Sequence, residues 1–248
     1  MPAAVSVAAT VWTVVNADGS RVTIARFPAG RCRYLLHAGS TDPGWAALHL
    51  GVRAGPAVTG SERSRLIAAF NGGFLLSTGV GGYEQEGHVI RALQPGLASL
   101  VIDTAGRAAV GVWGQDLPRP GEAVYSVRQN LPPLVRGGQP SPTAGLPGDW
   151  GATLGGGTSV ARSGLGMDGA GNLLYAGSMD ATPLELAQAL ANAGARTAME
   201  LDINPEWVQL ALSNVPGGAL YAGVPGQHRP AYQYVSGWTR DFVTVLAG

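Results

Sequence analysis

Residues Thr182 to Trp207 read TPLELAQALANAGARTAMELDINPEW, and the fold is decided by how this run is parsed. Thr182 is placed to cap a helix, Pro183 suits the first helical position, and Glu185 completes a capping box. Leu184, Ala187, Leu190 and Ala191 recur at helical spacing and give one apolar stripe. Gly194 stops the helix where a left-handed residue is wanted. A strand follows. Thr197, Met199 and Leu201 alternate with Ala198, Glu200 and Asp202, which predicts a mostly apolar face and a face with two carboxylates. Ile203-Asn204-Pro205 then turns the chain into a loop. A helix feeding a strand that ends in acids is a rigid support for chemistry.

Composition agrees with a chain of many short strands. Of 248 residues 38 are Gly and 13% are charged, a turn-rich profile unlike that of a helical bundle. Formal net charge is zero, so there is no electrostatic footprint for nucleic acid or an anionic membrane. No apolar run reaches membrane-spanning length. The lone Cys32 excludes an internal disulfide framework. It sits between Arg31 and Arg33 in a strand-like run, so alternation turns its thiol from both and predicts a small buried residue. Residues 1–17 lack the basic start and compact apolar block of a signal peptide. Within and after them, 11–15 and 21–24 read as a hairpin about Asn16-Ala17-Asp18-Gly19.

Further strands are expected at 33–36, 45–52, 66–70, 98–103, 109–113, 124–129, 158–162, 173–176, 207–212, 219–222 and 241–246, with a helical turn at 61–65 capped by Ser61. Residues 137–149 read as an exposed loop, a lid or a rim. No internal repeat or domain boundary shows.

Gly164-Leu165-Gly166-Met167-Asp168-Gly169 matches the dinucleotide fingerprint by letter. A strand, not a helix, is expected after it, so the pyrophosphate would find no helix N-terminus. Gly155-Gly156-Gly157-Thr158-Ser159 lacks the lysine of a P-loop and reads as a turn. His37, His49, His88 and His228 are scattered without zinc-ligand or triad spacing.

The chemistry-bearing residues lie at strand ends. Glu200 and Asp202 would stand roughly 6.5–7 Å apart at Cα, given the rise of a strand. Glycosidase carboxyl pairs span about 5–9.5 Å, so the spacing is permissive. The alternative is that Glu200 pairs with an arginine and Asp202 caps the turn. Arg128-Gln129-Asn130 and Arg162-Ser163 place guanidinium groups where a phosphate or carboxylate could be gripped, or where they could pair with Glu200 or Asp202. Asn71 ends an apolar run, and Gly72 and Gly73 would let a ligand approach the backbone. Trp207, Tyr83 and Trp150 could stack on a sugar or pack in the core.

Asn71-Gly72-Gly73-Phe74 closing an apolar strand resembles the Asn-Gly-Gly-Phe motif of the phosphodiester glycosidase family. Arg162-Ser163-Gly164-Leu165-Gly166 is similar to the family's Arg-x-x-x-Gly segment. The Leu184–Ala187 helix followed by Ala198-Met199-Glu200-Leu201-Asp202 resembles its final helix and Leu-Asp strand. The three segments occur in the family's order over roughly residues 60–210. The resemblance is nearer to an actinobacterial-like branch with Arg-Gln-Asn and Leu-Asp-Ile-Asn motifs, which suits the Ala-, Gly- and Arg-rich composition. Two departures stand out: Glu200 where the family carries Asn, and Asp202-Ile203-Asn204-Pro205-Glu206-Trp207 in place of an Asp-Gly-Gly-Gly-Ser loop.

The resemblance implies one α+β domain over residues 1–248, with mixed sheet, many short strands and few helices. It also implies a hydrolase of sugar-1-phosphodiesters, small or in a cell-envelope glycan, with an extracellular or envelope location. On that reading Asp202 is base or nucleophile and Glu200 the proton donor. Arg128 and Arg162 hold the phosphate. Asn71, Gly72, Gly73, Asn130, Ser163, Asn204 and Trp207 complete the substrate site. No cofactor is required. A divalent cation held by Asp202, Asn204 and Glu206 is a minor alternative, since that loop lacks the length and Gly of a calcium-binding hand. The other class of reading is a non-catalytic carbohydrate-binding protein on the same scaffold.

Overall fold

A computed structural model describes residues 9–151 and 156–248. The start of the chain that bears on the signal-peptide question, and Gly155 of the Gly-Gly-Gly-Thr-Ser turn, lie outside the described residues. Three antiparallel sheets carry the molecule, with 39% of the chain in strands and 14% in helices, so the fold class is α+β. One sheet runs in the order β1 (Thr10–Val15), β2 (Arg21–Phe27), β13 (Leu173–Ala181), β12 (Val160–Asp168), β14 (Ala195–Glu200), β10 (Val135–Arg136), β11 (Gln139–Pro140). The second runs β16 (Tyr221–Ala222), β15 (Leu210–Leu212), β4 (Leu66–Asn71), β17 (Phe242–Ala247), β3 (Cys32–His37). The third runs β6 (His88–Arg91), β5 (Tyr83–Gln85), β9 (Val124–Gln129), β7 (Ala98–Asp103), β8 (Ala108–Val112).

Helix α3 (Pro183–Asn192) forms as the sequence predicts. The Thr182 hydroxyl accepts from the Glu185 N–H while the Glu185 carboxylate accepts from the Thr182 N–H. Its buried face is set by Leu186, Ala187, Ala189 and Leu190, whereas the expected Leu184 points out. It packs on β12 and β14, and Gly164 and Gly166 let it come close. A Cβ on Gly166 would meet Leu190 of the helix at 3.4 Å, and one on Gly164 would meet Leu190 at 3.1 Å. The glycines that mimic a nucleotide fingerprint are thus a seat for this helix. On the opposite face of the same sheet Leu165, Tyr175 and Met199 join Phe70, Leu100 and Val245 in the largest core, among all three sheets. From Ala198 on, strand β14 is buried on both faces, so its carboxylate face is as dry as its apolar one, while Arg196 near its start is exposed.

Other differences have local causes. Residues 45–52 contain the short helix α1 (Trp45–His49), not a strand, because Gly44 and Gly51 at positive φ bend the chain at either side. Helix α2 (Gly60–Arg65) starts one residue earlier than expected, and Ser61 does not cap it. Part of 137–149 belongs to the edge hairpin β10–β11. A last short helix, α4 (Gln233–Ser236), precedes β17. Among the described residues no helix is long and apolar enough to cross a membrane. Cys32 is buried, and that burial pushes its thiol up to about 11, so it is not a nucleophile at neutral pH.

Candidate active site

The sequence-predicted polar residues meet at one end of the sheets. Asn71 is the last residue of β4, Glu200 the last of β14, and Arg162 and Ser163 stand early in β12, where Gly164 faces Glu200 across the ladder. Arg128 is the penultimate residue of β9. Because these strands end side by side, residues far apart in the chain come into bonding distance.

Three buried ion pairs form the centre. Arg162 Nη1 lies 2.8 Å from Glu200 Oε1, and neither side chain is exposed. Arg162 also donates to the Ala181 and Trp150 carbonyls, from Nε at 3.0 Å and Nη1 at 3.1 Å. Arg240 Nη2 lies 2.9 Å from Asp202 Oδ2 and donates to the Gly73 carbonyl at 3.1 Å. Arg128 Nε donates to Asp241 Oδ2 at 2.7 Å, and its Nη2 donates to the Phe74 carbonyl.

The amides and the serine frame these pairs. Asn71 Nδ2 donates to Ser163 Oγ at 2.9 Å, and its Oδ1 accepts from Tyr175 and from the Gln209 N–H. Ser163 Oγ donates to the Asp202 carbonyl at 3.0 Å. Asn130 Nδ2 donates to the Glu200 and Leu201 carbonyls and so fixes the chain between the two acids. The space beside Gly72 and Gly73 is filled by the protein itself. A Cβ on Gly72 would fall 2.0 Å from Asp241 Oδ2, and one on Gly73 would fall 3.1 Å from Arg128 Cζ. Here these glycines accommodate an ion pair rather than leaving room for a ligand.

Asn204 and Trp207 lie at the half-buried rim. The Asn204 N–H donates to Asp202 Oδ1 at 2.8 Å, so Asp202 does cap its turn. The Trp207 ring has the Arg229 and Arg240 guanidinium carbons at 5.0 and 5.2 Å from its centroid and meets Trp238 edge-on. Tyr83 and Trp150 are core residues. The proposed cation ligands diverge: Asp202 turns to Arg240, while Glu206 pairs with His228 and Arg229. Among the described residues no three His, Cys, Asp or Glu side chains converge to hold a metal ion.

Burial sets the protonation of the acids. It lifts Glu200 to about 8, outweighing the Arg162 guanidinium, with the charge of Asp202 adding to the rise. It lifts Asp202 to about 6 against the pull of Arg240. Asp42, which accepts from the Leu76 N–H and feels the charge of Asp241, is also raised, chiefly by burial. Two atoms of the cluster are left over: Glu200 Oε2 and Arg162 Nη2 are buried without a hydrogen-bond partner among the described residues. Arg240 Nε is a third.

Arg240, Asp241 and Asp42 are the site members that sequence reasoning passed over. The signal available was the charged pair Arg240-Asp241 directly before the apolar run Phe242–Ala247. The cluster is buried, each of its charged side chains in the three pairs less than a tenth exposed, and two surface cavities, of about 490 and 390 Å³, are lined by other residues.

Neither a family model nor a curated protein sequence matches the chain. Solved structures do match in fold. The chain is similar to the catalytic domain of zebrafish N-acetylglucosamine-1-phosphodiester alpha-N-acetylglucosaminidase, auto-inhibited by its pro-peptide. The identity is 15% and the TM-score 0.56, over 97% of this chain and 82% of that one. It is also similar to a hypothetical protein from Synechocystis, at 14% identity and TM-score 0.54, over 97% of this chain and 62% of that one. What the chain shares with both is the fold, at a distance.

Proposed function

We propose that the protein hydrolyses sugar-1-phosphodiesters. Water is added across the bond between the anomeric carbon and the phosphodiester oxygen, releasing a free sugar and a phosphate monoester. The observation that carries this reading is a pair of atoms, Glu200 Oε2 and Arg162 Nη2, that have no hydrogen-bond partner among the described residues and belong to one buried pair. Buried polar atoms of this kind are costly unless something bonds them. An anionic phosphodiester oxygen would take a hydrogen bond from the guanidinium and another from the neutral carboxyl of Glu200. Asp202, ionised above about pH 6, would serve as base or nucleophile at the anomeric carbon. Arg128, held by Asp241, braces the Asn71–Phe74 turn instead of gripping phosphate. Substrate would enter when the rim residues Ile203, Asn204 and Trp207 move aside. The fold shared with a phosphodiester glycosidase supports the reading at the level of architecture.

The test is product analysis on a panel of hexose- and N-acetylhexosamine-1-phosphodiesters. Asp202→Asn is expected to lose about 100-fold or more in turnover, the usual scale for an acid–base group. Glu200→Gln should lose less, because phosphate is a good leaving group. Full turnover by Asp202→Asn overturns the assignment.

One observation favours a second reading. The three arginines are all engaged by carboxyl groups, and the pairs are buried. A non-catalytic glycan-binding protein would use such a cluster as a polar core. Glycan binding unchanged in Asp202→Ala, with no turnover of any phosphodiester, selects that reading.

A further inference from the structure

The strands that converge on the polar cluster diverge from a second feature at their other end. On β12, Met167 stands five residues beyond Arg162, about 17 Å at the rise of a strand. On β17, Ala247 pairs with Cys32, five residues beyond the Phe242–Asn71 pair. On β7, Asp103 stands at the opposite end from Ser99, which pairs with Gln129. Met167, Cys32 and Asp103 all line the cavity of about 490 Å³. That volume lies within the range of small-molecule sites.

Its lining is two-sided. Cys32, Tyr34, Ala109, Met167 and Leu173 give an apolar floor, each less than a tenth exposed. The rim carries Arg107, Arg119, Asp103 and Glu122. The acids there are engaged by neighbouring N–H groups, Asp103 more fully than Glu122. Asp103 accepts from the Ala105 and Arg107 N–H groups and from Arg107 Nε, and Glu122 accepts from the Arg119 N–H. The guanidinium of Arg119 has no ion pair or hydrogen bond among the described residues, and Arg107 uses one of its donors on Asp103. The neighbouring cavity of about 390 Å³ shares Tyr34, Asp103 and Thr104 and adds Arg33 and Arg65 to its wall. Within the larger cavity Arg107 and Arg119 stand beside Asp103, which accepts three hydrogen bonds, and Glu122, which accepts one, above an apolar floor. Arg33 and Arg65 in the neighbouring wall donate to the Cys32 and Ala247 carbonyls, so the Arg119 guanidinium is the cationic group left to meet a ligand.

We propose that this furrow is a second binding site, for a small amphipathic anion. Its apolar body sits on Cys32, Tyr34, Ala109, Met167 and Leu173, and its phosphate or carboxylate head is held by Arg119 and Arg107. The site is separate from the polar cluster and does not depend on the function proposed for it.

The experiment is titration calorimetry of the whole chain with octyl phosphate, octanoate, octyl glucoside and inorganic phosphate, all below micelle-forming concentrations. Saturable one-to-one binding of an octyl anion is expected, at least 10-fold tighter than octyl glucoside or inorganic phosphate. Octyl phosphate against octanoate tells which head group is preferred. Arg119→Glu, a change at an exposed position, should weaken binding 10-fold or more, and the methyl resonance of Met167 should shift on saturation. Asp202→Asn should leave the affinity unchanged. Equal binding of the neutral glucoside, no effect of Arg119→Glu, a binding loss in Asp202→Asn, or no saturable binding each overturns the proposal.

Discussion

At the end of the sheets where β12 and β14 meet, Arg162 and Glu200 are wholly buried, the guanidinium 2.8 Å from a carboxyl that burial keeps protonated up to about pH 8. At the other end Arg107 is 72% exposed, and the Arg119 guanidinium has no partner among the described residues, beside an open cavity. The same strands carry both. The difference follows from what closes each end. Around the cluster, the carbonyls of Ala181, Trp150, Gly73, Phe74 and Gln129 take up guanidinium donors and the Asn204 N–H bonds Asp202, so charge can be buried. At the far end the turns 28–31, 104–107 and 119–123 are polar and stay in water. Burial at the first end shifts protonation, and openness at the second leaves surface for a partner.

The largest effect expected from disturbing this contrast is Arg128→Ala. It strands Asp241 as a buried unpaired charge and should cost about 3–5 kcal/mol, read from urea unfolding. Gly72→Ala drives a methyl group into the Asp241 carboxylate and should cost about 1–3 kcal/mol by the same measurement. Loss of the cap in Thr182→Ala, away from both ends, should cost about 1 kcal/mol. Arg119→Ala, at the open end, should change stability by no more than about 0.5 kcal/mol.

Stability should also respond to pH through the closed end. Glu200 holds its proton up to about pH 8 when folded, while its unfolded form loses it near the ordinary value of 4.5. The folded state thus binds more protons between those values, and stability falls as pH rises across that window, then levels. Asp202 adds to the fall up to about pH 6. The urea midpoint should drop between pH 5 and 8, and Glu200→Gln should flatten the part above pH 6. A midpoint that rises with pH would contradict the assignment.

Much of this was legible in residues 182–207, because a capping box and a strand ending in acids are local signals. The convergence of Asn71, Arg128, Arg162 and Glu200 was also readable, since each sits where an apolar run gives way to Gly, Pro or acid. The pairing of Glu200 with an arginine and the Asp202 turn cap were readable as well, but the partners of Arg128 and Asp202 were not. The pairing of Arg128 with Asp241 and of Asp202 with Arg240 depends on β17 lying beside β4, a long-range register that no local pattern encodes. The same holds for Gly72 and Gly73, whose role appears once Asp241 is placed against them. Residues 45–52 misled because a five-residue helix has too little periodicity to declare itself.

The most direct measurement is the pH dependence of kcat/KM on a sugar-1-phosphodiester. The account requires Asp202 ionised and Glu200 protonated, so it predicts a bell with limbs near pH 6 and pH 8, whose alkaline limb disappears in Glu200→Gln. A rate that is level from pH 5 to 9, or no turnover at any pH, would contradict it.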